Sequence, residues 1–203
     1  MIPRLCFIAD SERGSGGRPL EEVVLQALAA GAEMVIVRER GRSDAELSAL
    51  LDQIAARRPA GCRVLVSRRL DLVRACGLDG VHLAADAVPL PQARAWLGPE
   101  ALIGYSAHSA AEARRAAEEG ASYVTLSPIY PTGSKPGAAG RGAAWLARAT
   151  GTLPIPVLAL GGMTPARVQE VRAAGAWGVA AVSAIGAAPK IEEVVQEFRR
   201  ALG

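Results

Sequence analysis

The 203-residue sequence predicts an α/β protein whose strands close into a (β/α)8 barrel, the TIM-barrel architecture. Three observations predict it: eight short apolar runs, a helical pattern after each run, and a repeat of roughly 25 residues from one run to the next. Strict alternation of strand and helix is typical of parallel strands joined by right-handed crossovers. Eight such units suit a closed barrel, and an open, doubly wound sheet is the alternative. Because no break in composition divides the chain, we expect one domain spanning residues 1–203.

Each apolar run is short enough for a strand that is buried on both faces. The runs lie at residues 5–9, 34–37, 64–66, 80–83, 102–106, 123–126, 157–160 and 178–182. In a barrel of parallel strands, the residues that follow these runs meet at one rim. That rim is where barrels of this architecture place their sites.

Helical patterns separate the runs, and some of them carry recognisable ends. Ser43 and Ser109 are each followed three residues later by a glutamate, which is the spacing of a capping box. The predicted helices lie at residues 19–30, 43–57, 70–76, 89–97, 109–119, 143–149, 165–174 and 191–202. The segments 11–18 and 127–142 are expected to be loops, because both are rich in glycine and polar residues.

Composition excludes several classes of function. The net charge is only +3 and aromatic residues make up 4%, with no basic run, so nucleic acid is not an expected partner. The three cysteines have no metal-ligand spacing, which favours reduced thiols in a cytoplasmic protein. No signal peptide and no 18-residue apolar run is recognised, so we expect no membrane association.

Cations, hydroxyl groups and glycine amides follow most of the strands. This combination suits a phosphorylated small molecule that is held by backbone N–H groups and by Arg or Lys side chains. The candidate binding residues are Arg38, Arg40, Ser67, His82, Ser106, Thr132, Ser134, Lys135, Gly161, Gly162 and Ser183, with His108 as the candidate catalytic residue.

The pair Gly161-Gly162 ends the seventh strand, and Thr164 and Pro165 suit the start of the helix after it. A strand, a glycine turn and a capped helix bring N–H groups and a positive dipole end to an anion. The alternative is a tight turn that needs positive φ angles for steric reasons alone.

The two histidines differ in the roles expected of them. His108 follows a strand and precedes a helix, which suits a proton shuttle, with a surface or capping residue as the alternative. His82 alternates with two apolar neighbours, which favours a hydrogen-bonded core residue over a direct role. Asp86 follows strand four, Asp71 lies a few residues after strand three, and Asp10 follows strand one, where a helix cap or a salt bridge is the alternative role. We see no convincing pair for a metal, so we predict no metal and no cofactor.

Several segments together carry a family resemblance. They are Val37-Arg38-Glu39-Arg40, Arg69-Leu70-Asp71-Leu72, Gly80-Val81-His82-Leu83, residues 103–109, residues 128–135 and residues 159–165. In this order and spacing the chain resembles the thiamine phosphate synthase / TenI superfamily over nearly its whole length. The resemblance implies a (β/α)8 barrel. It also implies one of two activities.

Synthases of this superfamily join a hydroxymethylpyrimidine pyrophosphate to a thiazole phosphate and use Mg²⁺, whereas TenI-type proteins isomerise a carboxythiazole phosphate to its aromatic tautomer. The synthase pattern has Gln where Ile36 stands and Asn-Asp where Ser67-Arg68 stand. Its second metal-binding Asp falls at Ala87, beside Asp86. Both metal carboxylates of the family are therefore missing from their places.

TenI-type sequences carry Ser-x-His after strand five, a Lys-x-Gly-x-x-Gly-Arg-Gly loop after strand six and Gly-Gly-Met-Thr-Pro after strand seven. This chain matches them at residues 106–108, 135–142 and 161–165. The resemblance therefore favours a thiazole tautomerase, an isomerase with His108 as acid and base. The alternatives are a Mg²⁺-dependent thiamine phosphate synthase and a regulator that binds thiazole phosphate without chemistry. The expected partner is the thiazole phosphate itself, and apolar residues on the outer helices allow a homodimer.

Overall fold

The computed structural model describes residues 1–133, 137 and 139–203. Its eight strands are all parallel and lie in chain order around a closed barrel. They are β1 (Leu5–Ala9), β2 (Met34–Val37), β3 (Arg63–Ser67), β4 (Gly80–Leu83), β5 (Leu102–Ala107), β6 (Tyr123–Leu126), β7 (Val157–Leu160) and β8 (Gly178–Ala181). Because β1 pairs with β8 as well as β2, with Phe7 opposite Ala181, the open sheet is excluded and the predicted barrel is confirmed. Every strand begins and ends within one residue of its predicted bounds.

The helices surround the barrel. They are α1 (Ser11–Gly14), α2 (Leu20–Ala29), α3 (Asp44–Arg57), α4 (Leu70–Ala75), α5 (Leu90–Leu97), α6 (Ala110–Glu118), α7 (Gly142–Thr150), α8 (Val168–Ala173), α9 (Ser183–Gly186) and α10 (Ile191–Leu202). The sequence pattern missed α1 and α9, because a four-residue helix is too short to show a 3.6-residue period. None of the described helices combines the length and apolar character that crossing a bilayer requires.

Three predicted helix starts have different outcomes. Ser43 forms the full capping box with Glu46. Ser109 caps α6, although the Glu112 carboxylate accepts the N–H of His108 at 2.9 Å. The expected cap at Thr164 is wrong, because residues 165–167 form a 3₁₀ turn in which the Thr164 carbonyl, rather than its side chain, accepts the N–H of Arg167 at 3.0 Å.

Both faces of the strands are buried, which explains why the sequence shows continuous apolar runs there. In β1, Cys6 and Ile8 point into the barrel with Met34 and Leu65, while Leu5 and Phe7 pack outward against the helices. The helix α10 covers the outside of the barrel with a stripe of buried residues four and three positions apart, which is the pattern of a surface helix. The side chains that fill the barrel also form the base on which the site stands.

Candidate active site at the carboxyl rim of the barrel

A pocket of about 270 Å³ opens at the carboxyl ends of the strands. Ten of the twelve predicted site residues line it, namely Arg38, Arg40, Ser67, His82, Ser106, His108, Thr132, Gly161, Gly162 and Ser183. The other two, Ser134 and Lys135, lie outside the described residues. The base of the pocket is apolar, with Ile8, Ile36 and Leu160 among its lining residues.

Arginines line the side of the pocket that follows β1, β2 and β3: Arg13, Arg38, Arg40 and Arg68. Asp10 is the one acid among the described lining residues. It is only 3% exposed, and its carboxylate accepts the N–H groups of Glu12 at 3.1 Å and Arg13 at 3.2 Å while pairing with the Arg38 guanidinium. Asp10 therefore caps α1 and neutralises one arginine, which leaves this side of the pocket positively charged.

Arg68 has an unusual backbone. Its φ of 71° is the only positive value of a non-glycine residue in the described part of the chain. The Arg68 N–H donates to the His82 carbonyl at 3.0 Å, and the guanidinium donates to both carboxylate oxygens of Asp86 at 2.8 Å and to the Asp86 carbonyl at 3.0 Å. The Arg68 guanidinium, and to a lesser degree Arg40, lower the pKa of the Asp86 carboxyl. These contacts tie the Arg68 side chain to the segment that follows β4.

His108 lies on the opposite side of the pocket, one residue beyond β5. Its Nδ1 is 3.0 Å from the Ser127 carbonyl oxygen and 3.3 Å from Ser127 Oγ. Since a carbonyl oxygen can only accept a hydrogen bond, Nδ1 is the donor in its contact with the Ser127 carbonyl. The capped start of α6 fixes the backbone of this residue through Glu112.

His82 forms part of the pocket base and belongs to a buried hydrogen-bonded group. Its Nδ1 is 3.2 Å from the Tyr123 hydroxyl and its Nε2 is 3.4 Å from Thr125 Oγ1. Burial lowers the pKa of His82 from 6.5 to about 4, so the ring is neutral at physiological pH. Gly104 makes the arrangement possible, because a Cβ there would lie 2.3 Å from the Tyr123 ring and 2.4 Å from His82 Nδ1.

Gly161 and Gly162 form a turn that no other residue would fit. Both have positive φ, 99° and 62°, and a Cβ on Gly162 would lie 2.5 Å from the Pro131 carbonyl oxygen. The steric reason for the pair therefore holds, and the pair also lines the pocket. Beyond the neighbouring strand β8, Ser183 begins the short helix α9 at the same rim. A short extra helix beside the loops after strands seven and eight is a common phosphate site of this fold.

Some lining residues were missed by the sequence reasoning. Arg13 lay in a segment predicted as loop, and Arg68 was noted after strand three, in the place of a metal-binding aspartate of the family, but was not predicted to bind the substrate. The position after a strand was the signal available for both. Ser127, which contacts His108, lay at the start of the long loop and carried no motif of its own.

The Mg²⁺ that the resemblance implies for a synthase does not fit the described residues. No group of three His, Cys, Asp or Glu side chains converges on a point in this part of the chain. The Asp10 carboxylate is occupied by two N–H groups and Arg38, and the Asp86 carboxylate by Arg68. A divalent cation prefers carboxylate and other oxygen ligands, and here guanidinium groups take those oxygens.

Known proteins of similar sequence are named as synthases. The chain is 40% identical over 183 residues to the thiamine-phosphate synthase of Methanoculleus marisnigri, covering 88% of this chain and 86% of that protein. It is 41% identical over 192 residues to a provisionally named thiamine-phosphate synthase of Geobacter sulfurreducens, covering 92% and 89%. Among solved structures, the thiamine phosphate pyrophosphorylase of Pyrococcus furiosus superposes with a TM-score of 0.86 at 26% identity, covering 98% of this chain and 95% of that one.

These relatives overturn the expected tautomerase. The prediction of an isomerase of the TenI type is wrong, because proteins about two-fifths identical over most of the chain carry the synthase name. The motifs after strands five, six and seven did not separate the two activities. The loss of the family's metal-binding carboxylates was interpreted as a loss of synthase activity. The same rim, however, holds arginines, which supply positive charge without a metal.

The family model described as thiamine monophosphate synthase matches residues 5–185, from the first strand to the short helix after the last. The match spans all eight strands and every described residue that lines the pocket. The chain therefore belongs to the thiamine monophosphate synthase family.

Proposed function

We propose that this protein is a transferase of the thiamine-phosphate synthase type, which joins a hydroxymethylpyrimidine pyrophosphate to a thiazole phosphate. The observation that carries the proposal is the identity of 40% or more to proteins of that name, over nine-tenths of the chain or close to it. The pocket agrees with it, since an apolar base beneath a rim of arginines and glycines suits flat rings that bear phosphate groups.

The reaction is a displacement at carbon. The thiazole nitrogen forms a bond to the exocyclic carbon of the pyrimidine, and the bond from that carbon to the pyrophosphate oxygen breaks. Pyrophosphate leaves with the electron pair, and the thiazole ring becomes positively charged. No proton has to be removed from the nitrogen, so the chief demand on the protein is to hold the two rings in line and to stabilise the charge of the leaving group.

The two substrates have natural places in the pocket. The turn at Gly161 and Gly162, together with Ser183, suits the single phosphate of the thiazole, which has the smaller charge. The arginines on the other side suit the pyrophosphate, because guanidinium groups pair with phosphate oxygens in bidentate fashion. Ile8 and Ile36 at the base give the rings an apolar surface.

A second candidate is binding without turnover, as in a regulator that senses thiazole phosphate. The observation that favours it is the pairing of Asp10 and Asp86 with arginines, which leaves the described rim without ligands for the metal that synthases of the superfamily use. An assay that follows both product formation and ligand binding distinguishes the two candidates.

The test is to incubate the purified protein with both substrates, with EDTA in one series and Mg²⁺ in another, and to follow thiamine phosphate and pyrophosphate. We expect thiamine phosphate and pyrophosphate to form in equimolar amounts in at least one of the two series. Tight binding of thiazole phosphate without product in either series would exclude the transferase and support the regulator. A heat-denatured sample and a reaction without the thiazole phosphate are the controls.

A further inference from the structure

We propose that Arg68, with its neighbouring arginines, binds the pyrophosphate group of the substrate in the place of a divalent cation. The identity of this ligand rests on the proposed function. The structural basis is independent of it: four arginines and a single, already paired acid among the described lining residues make one side of the pocket an anion site.

The backbone of Arg68 is the first argument. A left-handed conformation is unfavourable for arginine, whereas glycine and asparagine tolerate it. Residues held in such conformations cluster at binding sites, where the placement of the side chain compensates for the strain. At Arg68 the chain retains a strained residue that lines the pocket.

The orientation of the guanidinium is the second argument. Asp86 holds it through both carboxylate oxygens and the backbone carbonyl, so the planar group is fixed before a ligand arrives. The Asp86 side chain is 73% exposed, and such an exposed pair contributes little to stability. It therefore serves to orient Arg68, and a pyrophosphate with several negative charges can compete for the guanidinium.

The chemistry is consistent with this assignment. A divalent cation assists departure of pyrophosphate by neutralising the charge that develops on its oxygens, and fixed guanidinium groups supply the same kind of stabilisation. Arg40 adds positive charge near Asp86, Arg38 pairs with Asp10 after β1, and Arg13 lines the same side of the pocket. No additional reactant is needed, since the bond to the thiazole nitrogen forms as the bond to pyrophosphate breaks.

The test is isothermal titration of the whole protein with inorganic pyrophosphate, in buffer with EDTA and in buffer with Mg²⁺. We expect binding in EDTA at least as tight as in Mg²⁺. The variant Arg68→Asn, which suits the left-handed backbone, should weaken metal-free binding about tenfold or more, the usual loss for a charged hydrogen-bonding partner. Its melting temperature should stay the same or rise. Arg114→Asn removes the same charge from an exposed position of α6 outside the pocket and should change binding less than about twofold.

Two results would overturn the proposal: pyrophosphate binding that appears only with Mg²⁺, or an Arg68→Asn variant that binds pyrophosphate like the wild type. The variant Asp86→Asn gives a second check. If Asp86 were a metal ligand, this variant would abolish any increase in pyrophosphate affinity that depends on Mg²⁺. If the arginines bind pyrophosphate, the variant should still bind it in EDTA. Failure here differs from failure of the proposed function, because a synthase that needs Mg²⁺ would still make thiamine phosphate, and an arginine site without synthase activity would still bind pyrophosphate in EDTA.

Discussion

The two sides of the pocket are built on different principles. The arginine side, Arg13, Arg38, Arg40 and Arg68, follows strands β1 to β3 and depends on long charged side chains. The glycine side follows strands β5 to β8 and consists of Gly161, Gly162, Ser183, His108 and their neighbours, with no arginine or lysine among its described lining residues. The arginine side provides positive charge, and the glycine side provides a turn of defined backbone conformation.

The difference teaches how each side is held in place. On the glycine side, the turn is fixed by close contact with the loop after β6, since Gly161 packs on Pro128 and Gly162 on Pro131. On the arginine side, single acids hold single arginines, Asp10 with Arg38 and Asp86 with Arg68. We therefore expect substitutions in the glycine turn to cost more stability than substitutions on the arginine side, where the affinity for anions should change as well.

The largest effect should come from Gly162→Ala. Positive φ and a Cβ only 2.5 Å from the Pro131 carbonyl oxygen together should destabilise the protein by about 2 to 5 kcal/mol. Displacement of the turn should reduce turnover by about 10²-fold. Chemical denaturation and a synthase assay measure the two effects.

Gly17→Ala is the matched control, because Gly17 also has positive φ, 78°, but nothing lies within 4 Å of its Cβ position. It should lose only about 1 to 2 kcal/mol, the strain alone. If both variants were equally destabilised, the contact with the loop after β6 would not be what fixes the glycine side.

The next effect concerns the base that the two sides share. The pKa of His82 is about 4 in the folded protein and 6.5 unfolded, so the unfolded chain binds the extra proton as the pH falls. This group's contribution to stability is complete above pH 6.5 and is lost towards pH 4, which amounts to about 3 kcal/mol. Unfolding free energies of wild type and His82→Gln across this range should therefore converge as the pH falls. Parallel curves would mean that His82 is not buried in its neutral form.

The sequence predicted the barrel because every strand is buried on both faces and therefore stands out as an apolar run. It predicted most of the pocket for a related reason, since closure brings all the residues after the strands to one rim. Arg38 was found by its position after a strand, and Gly161 by that position together with its glycine neighbour. The short helix α1, by contrast, depends on the cap that Asp10 provides, which no periodicity reveals.

The choice of activity shows where sequence reasoning failed. The sequence resemblance indicated that Arg68 replaces an aspartate of the family. The effect of that replacement on activity depends on what the Arg68 side chain contacts. Only the structure shows that Arg68 is oriented by Asp86 across the gap between the ends of β3 and β4. A substitution that removes a metal ligand can add a charge of the same sign as the metal, and the sequence alone does not show which groups that new charge contacts.

A smaller effect is expected from breaking the pair between Arg38 and Asp10. The variant Arg38→Gln leaves the nearly buried Asp10 carboxylate with its two N–H donors but without its cation, and should cost about 1 to 3 kcal/mol. Lys190→Gln, which breaks an exposed pair with Glu193, is the control and should change stability by less than about 1 kcal/mol. Equal losses in the two variants would show that burial of Asp10 contributes nothing to the pair.

The smallest effect should come from His108→Asn. Displacement by a thiazole nitrogen releases no proton, so a histidine on the glycine side has no acid or base role in the proposed reaction, and turnover should fall less than about tenfold, below the usual 10²- to 10⁴-fold for a general base. Asparagine can still donate to the Ser127 carbonyl, which His108 contacts at 3.0 Å, so the loop should keep its position. The measurement is kcat and KM in the synthase assay, with Gly17→Ala, outside the pocket, as the reference. A loss of 10²-fold or more in kcat with unchanged KM would mean that proton transfer limits the reaction, and the division of the pocket into a charge-bearing side and a shape-bearing side would no longer account for its chemistry.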